Sequence, residues 1–168
     1  MNEYIKRTYM RIGVVSLLVL AVALITFGVV RNSKGASLTY FAQHANPASI
    51  ETAIEDVIVG SGKEVVVGSK VSVDYVGLLT NGTAFDTSRE EWAKEYGILT
   101  QGRTYAQYEL IVGSGQVIRG WDEGLMGMKE GGVRRLAIPA SKAYGKDGNG
   151  TIPGNSMLIF EINLIKVD

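Results

Sequence analysis

The sequence predicts an α+β domain over residues 51–168, with one antiparallel sheet curled over a short helix. Two observations carry this. Beyond Glu51, short β-branched runs are cut repeatedly by Gly, Ser and Asn, the signature of strands joined by turns. The chain also holds 21 glycines against 3 prolines. Glycine usually makes up only about 7% of a chain, so this balance points to many tight turns.

The elements follow in chain order. Residues 1–11 form a basic leader. Ile12 to Val30 then reads IGVVSLLVLAVALITFGVV, nineteen residues without a charge. As a helix rising ~1.5 Å per residue, it spans close to the ~30 Å hydrocarbon core. We read residues 12–30 as a transmembrane signal-anchor. The competing reading, a cleaved signal peptide, has a small-x-small candidate at Ala21-Val22-Ala23. A cut there would leave Leu24 to Val30 as an exposed apolar tail. Lys6, Arg7 and Arg11 outnumber Arg31 and Lys34, which favours the leader inside and the large domain outside. Residues 31–50 show no sustained period and read as a tether, with His44 a solvated linker residue.

Strands are predicted around Val57–Val59, at Glu64–Val67, and at Val71, Val73 and Tyr75, which alternate with Ser72 and Asp74. Asn81-Gly82 is a strong hairpin signal. Further strands fall at Glu109–Val112, Val133–Ile138 and Met157–Val167. In the last of these, Leu158, Phe160, Ile162 and Leu164 share a face because side chains alternate with period two. Trp121, Leu125 and Met128 lie at i, i+4 and i+7, one face of a helix, with Gly131-Gly132 as its stop. Arg89–Tyr96 is a second helical segment ending at Gly97.

Composition excludes much chemistry. There is no cysteine, so disulfides, thiolate nucleophiles and Cys-based metal sites are ruled out. A single histidine argues against histidine metal centres and Ser–His triads. The formal net charge is zero, yet residues 1–34 carry five basic groups and one acid, and residues 51–168 carry 12 basic and 16 acidic. No basic stripe exists for nucleic acid to follow, so nucleic acid is not an expected partner. No phosphate loop, dinucleotide loop or complete calcium loop is present, and Asp147-Gly148-Asn149-Gly150 reads as a surface turn. Glu90-Glu91 and Asp122-Glu123 are adjacent pairs that point apart on a helix, as on solvated faces. What remains is a set of aromatics: Tyr75, Phe85, Tyr108, Trp121, Tyr144 and Phe160. From pattern alone they either fill the core or line an apolar pocket beside Asp86.

Several ordered motifs bear on that choice. Val73-Asp74-Tyr75-Val76-Gly77 is followed by Gly82-Thr83-Ala84-Phe85-Asp86-Thr87-Ser88 and then by Gly115 to Gly124 (GQVIRGWDEG). After these come Ala143-Tyr144-Gly145, Ile152-Pro153 and Leu158 to Ile162. Together they resemble the FKBP family of peptidyl-prolyl cis/trans isomerases over roughly residues 55–168. The resemblance implies a strongly bent antiparallel sheet wrapped around the helix that begins near Trp121. It implies a catalytic pocket with Trp121 as floor and Tyr75, Phe85 and Phe160 as walls. Asp86 would orient the pocket, and the Tyr144 hydroxyl and Ile118 N–H would hold the substrate backbone. Tyr108, Gln116, Val117, Ile118 and Ile152 would contact substrate, with Gln116 standing where the family has Glu. Residues 90–107 would be an insertion beside the pocket. No metal or cofactor is needed, because the reaction is rotation about a peptide bond.

The reading is therefore a membrane-anchored prolyl isomerase. It would act on proline-containing unfolded or partly folded exported proteins, on the periplasmic side of a bacterial inner membrane. The pocket would also take macrolide-type inhibitors. The alternative is a client- or ligand-binding chaperone module that uses the same pocket with little turnover.

Overall fold

A computed structural model describes residues 38, 40–41, 44–46 and 48–168. The leader, the apolar run 12–30 and residues 31–37 lie outside the described residues. Within them run β1 (Ala53–Ile58), β2 (Lys70–Leu79), β3 (Ala84–Thr87), α1 (Glu90–Glu95), β4 (Tyr108–Ile111), α2 (Arg119–Gly124), β5 (Val133–Ile138), a 3₁₀ turn (Ala140–Lys142) and β6 (Leu158–Val167).

Every strand pairing is antiparallel, in the order β1-β5-β6-β2-β3, with β4 also on β2. The two ten-residue strands β2 and β6 form the spine, paired from Val71↔Val167 to Leu79↔Leu158 with one bulge at Ser72/Val73. A bulge bends a strand and increases its twist, which suits a sheet that closes over α2. The expected α+β architecture of an antiparallel sheet with few helices is what the chain adopts.

The inner face of the sheet follows the predicted alternation. Val71, Val73, Leu136, Ile138, Phe160, Ile162 and Leu164 pack with Trp121, Leu125 and Met128 in one cluster. Helix α2 itself stops at Gly124, with Leu125 as its cap, earlier than the Gly131-Gly132 stop suggested by the apolar spacing. Leu125 and Met128 are still buried, because Gly127 at φ +71° turns the chain back beneath the sheet, a conformation glycine adopts without a Cβ penalty.

The outer face departs from expectation. Val76, Leu78, Ala137 and Ile159 lie under a second apolar layer formed by Leu38, Phe41 and Ala45, with Trp92, Tyr96 and Ile98 from the insertion. The predicted tether therefore ends sooner than residue 50. Backbone at Leu38, Tyr40, Phe41 and His44 is helical, the Ala45 N–H bonds to the Phe41 carbonyl at 3.0 Å, and Leu38 is 1% exposed. Leu38, Phe41 and Ala45 recur at i, i+3 and i+7, enough to lay one helical face on the sheet. His44 stays exposed and stacks on Tyr40 with ring centroids 3.8 Å apart.

Two further expectations are corrected. Glu64–Val67 is not a strand: only Glu64 bridges, to Lys129. Val65 is buried there while Val66 and Val67 are exposed, because the segment pairs with the loop 127–130 and not with a strand: the Val65 N–H bonds to the Met128 carbonyl at 2.8 Å and the Gly127 N–H to that of Val65 at 3.0 Å. Asn81-Gly82 does close the β2–β3 hairpin, through a three-residue loop. The Gly82 N–H bonds to the Leu79 carbonyl at 2.9 Å and the Leu79 N–H to that of Thr83 at 2.8 Å, with Gly82 at φ +87°. This is the turn-plus-bulge form of three-residue hairpins.

Candidate active site

Seven parts of the fold converge on one cavity of about 500 Å³. Strand β2 contributes Tyr75, β3 brings Phe85 and Asp86, and β4 opens with Tyr108. The approach to α2 supplies Gln116, Val117 and Ile118, α2 adds Trp121, the loop after β5 gives Tyr144, and β6 brings Phe160. The structure thus brings together ten of the eleven residues expected from the sequence. The exception is Ile152, which is buried in the inner core cluster and does not line the cavity.

Trp121 forms the floor. Tyr75 and Phe160 meet it edge-on at centroid distances of 5.1 and 5.2 Å, and Tyr108 does so at 6.3 Å. Phe85 stands edge-on to Phe160 at 5.6 Å. Edge-to-face pairs of this kind contribute about 0.5–1.5 kcal/mol beyond their buried area. The packing needs Gly77: a Cβ there would lie 2.6 Å from the Phe85 ring and 2.9 Å from that of Phe160.

Asp86 is the one carboxylate lining the cavity, and it is held from three sides. Its Oδ2 accepts the Tyr75 hydroxyl at 2.5 Å. Its Oδ1 accepts the Thr87 N–H at 2.9 Å and pairs with the Arg103 guanidinium at 2.8 Å. Arg103 also donates to the Thr87 carbonyl at 2.9 Å and lies over the Tyr105 ring. Sequence reasoning missed Arg103. The only signal was chemical: a carboxylate among aromatic rings calls for a cation, and the insertion offers two, Lys94 and Arg103.

The insertion is therefore divided. Trp92 and Tyr96, part of the insertion expected beside the pocket, cover the outer face instead, while Arg103 reaches the site. The acidic pair Asp122-Glu123 is also more than a solvated face. Asp122 accepts the N–H groups of Gly113 and Gly115 at 2.8 and 3.0 Å, folding that turn onto α2. Gln116 accepts the Ile111 N–H at 3.1 Å, so the rim at 116–118 is tied down at both ends. Polar groups at the cavity are left open: among the described residues, the Tyr144 hydroxyl, the Ile118 N–H and the buried Trp121 indole N–H have no hydrogen-bond partner.

The electrostatics give a pH prediction. Burial, then the hydrogen bond to Asp86, pushes the Tyr75 phenol well above its ordinary value, so it remains a protonated donor. The folded state holds this proton more tightly than the unfolded chain does. Its stabilisation is complete below the ordinary phenol value of ~10 and is lost as pH rises beyond it. Activity on a neutral peptide should be flat from about pH 6 to 8. Stability should begin to fall above about pH 10, less steeply in Tyr75→Phe. Stopped-flow rates and denaturant unfolding across pH check both, and a bell-shaped rate profile near neutrality would contradict the first.

A family model described as FKBP-type peptidyl-prolyl cis-trans isomerase matches residues 61–165. An FK506-binding protein of Neisseria meningitidis serogroup B is 47% identical over 115 residues, which cover 68% of this chain and 94% of that protein. FK506-binding protein 4 of Chaetomium thermophilum is 40% identical over 114 residues, covering 68% of this chain and 21% of that one. Among solved structures, the crystal structure of AtFKBP13 aligns with a TM-score of 0.57 at 34% identity, covering 70% of this chain and 93% of the other.

Proposed function

The chain belongs to the FKBP-type peptidyl-prolyl cis-trans isomerases, and from that premise we propose that it is a membrane-anchored member that isomerises X-Pro bonds in exported polypeptides before they are fully folded. The observation that carries the catalytic part is the aromatic cavity with two open hydrogen-bonding groups at its edge. A proline ring would rest on the Trp121 indole between Tyr75, Phe85 and Phe160. The Tyr144 hydroxyl and the Ile118 N–H would hold the flanking peptide groups.

Rotation about the bond loses amide resonance, behind a barrier of ~18–20 kcal/mol. The twisted amide is less zwitterionic than the planar one. An apolar slot therefore favours it over the ground state, which is differential binding of the transition state. Asp86, held by three donors, fixes Tyr75 and presents charge to one side of the slot, and no proton is transferred. The same cavity would take FK506-type ligands, as the names of the relatives state for those proteins. Its size lies within the usual ~300–1,000 Å³ of small-molecule sites.

The anchoring part rests on the uncharged run 12–30 and its basic leader. Uncatalysed isomerisation takes ~10–100 s, so chains arriving unfolded outside the cytoplasm present a step worth accelerating. The test has two arms. Full-length protein is expected to stay with membranes after carbonate washing with its first residue intact; soluble protein beginning near Leu24 or Ser37 would refute the anchor. A soluble fragment should start at residue 38, where the packed unit begins. It should accelerate a proline-limited tetrapeptide assay, and tight binding without acceleration would turn the reading towards a chaperone module.

A further inference from the structure

Lys142 ends the 3₁₀ turn Ala140–Lys142, two residues before Tyr144. A lysine ammonium is strongly hydrated and usually kept in water, yet this side chain is 11% exposed. It pairs with Glu123 at 2.8 Å and with Glu51. Glu123 follows Trp121 by two residues on α2 and is also bound by Arg119 at 2.6 Å. Glu51 lies two residues before β1. One ammonium therefore ties the Tyr144 loop to the pocket-floor helix and to the approach of the N-terminal segment.

The loop's own backbone bonds do not make that connection. The N–H groups of Ala143 and Gly145 share the Ala140 carbonyl at 3.0 and 2.8 Å, and the Asn155 N–H bonds to the Gly145 carbonyl at 2.8 Å. These bonds close the loop on itself. Among the described residues, no backbone hydrogen bond joins residues 140–156 to α2. The Lys142–Glu123 pair is the polar link between the element that carries Tyr144 and the element that carries Trp121. The two carboxylates raise the Lys142 ammonium above its ordinary value, while Lys142 and then Arg119 hold the Glu123 carboxyl below its own. The pair therefore stays charged through the neutral range.

We propose that Lys142 is a positioning residue for the isomerase reaction: clamped between Glu123 and Glu51, it sets the place of the Tyr144 hydroxyl over the Trp121 floor. The inference rests on the reading that Tyr144 contacts substrate. Misplacing a contact by about 1 Å can cost up to ~10² in rate, so a salt link between loop and floor has catalytic consequence.

The test is a double-mutant cycle on the full-length protein with a blocked, uncharged X-Pro tetrapeptide. Lys142→Met is expected to lower kcat/KM about five- to tenfold, within the range misplacement allows. Lys142→Arg, which keeps a cation in place, should restore most of the rate. In the Tyr144→Phe background the Lys142→Met loss should shrink to about twofold or less, because coupled sites are not additive. An equal loss in both backgrounds, or no loss in Lys142→Met, overturns the role of Lys142 and leaves the Tyr144 reading standing. A normal rate in Tyr144→Phe alone overturns both. If Lys142→Met does not fold, Glu123→Gln carries the same cycle, since it breaks the loop-to-floor ion pair and leaves Lys142 paired with Glu51. A loss that vanishes in Tyr144→Phe supports the role, and no loss or an additive one overturns it.

Discussion

Replacing Arg134 with methionine is expected to destabilise the domain by about 3–5 kcal/mol, chiefly because it strands two main-chain carbonyls at about 1–3 kcal/mol each. Arg134 lies on β5 with its side chain 9% exposed and spends its guanidinium on two structures at once. Nε and one terminal nitrogen hold the Asp56 carboxylate of β1 at 2.6 and 2.9 Å. The other terminal nitrogen donates to the carbonyls of Gly124 and Met126 at 2.8 and 2.9 Å, where α2 ends. The last carbonyls of a helix lack partners within it. Apolar replacement of a buried ion pair can be neutral when both members go. Here two of the acceptors are main-chain carbonyls that no substitution removes, so methionine leaves them unpaired. Lysine should recover only part, since a point charge cannot reproduce the planar fork. At about 2–4 °C per kcal/mol for a domain near this size, the melting temperature should fall by roughly 6–20 °C. Guanidinium unfolding of residues 38–168 checks it, and a loss under about 1 kcal/mol would show that water satisfies the α2 terminus.

Methionine at 134 would expose a dependence that no local pattern announces, and this marks the boundary of what the sequence makes legible. Features set by neighbours along the chain were readable. The alternation in β6 and the Gly82 turn each follow from a local period or a backbone requirement, and each is present; Trp121, Leu125 and Met128 are buried together as their spacing suggests, although the helix ends at Gly124. The aromatic residues of the pocket were placed by the ordered motifs that resemble the family, since spacing alone left them divided between core and pocket. What escaped is non-local. Arg103 meets Asp86 seventeen residues away in sequence, and Lys142 meets Glu51 across ninety-one. Nothing about an exposed-looking cation predicts which carboxylate it will find. Trp92 and Tyr96 lie four apart in the helical segment predicted at Arg89–Tyr96. Whether they turn to the pocket or to the back of the sheet depends on where the helix docks, and Val76, Leu78 and Ile159 supply an apolar surface there. Leu38 and Phe41 were missed because a short helical period bordered by polar residues looks like a linker until the surface it covers is known.

Phe160→Ala should remove both stability and catalysis, and the comparison with Tyr144→Phe separates the two contributions to the mechanism. Phe160 is 5% exposed and packs against Phe85, Trp121 and, at 6.3 Å, Tyr75. Truncating a buried phenylalanine costs about 3–5 kcal/mol. Domains of this kind carry about 5–15 kcal/mol in all, so rates must be scaled to the folded fraction. The remaining loss should still exceed tenfold, because water admitted to the slot solvates the planar amide and cancels the preference for the twisted one. Phe160→Leu retains an apolar wall and should fall between wild type and the alanine variant on both measures. Tyr144, by contrast, is 38% exposed and its hydroxyl has no partner among the described residues. Tyr144→Phe should leave stability unchanged and lower kcat/KM by about tenfold or less, the worth of one hydrogen bond to substrate. If Phe160→Ala, corrected for unfolding, works as fast as wild type while Tyr144→Phe is inactive, the reaction depends on the hydroxyl and not on a dry aromatic slot. The opposite ranking, with the wall outweighing the hydroxyl, is the expected result, because every ring in the cavity shields the bond being twisted and Tyr144→Phe removes only one of the open polar groups.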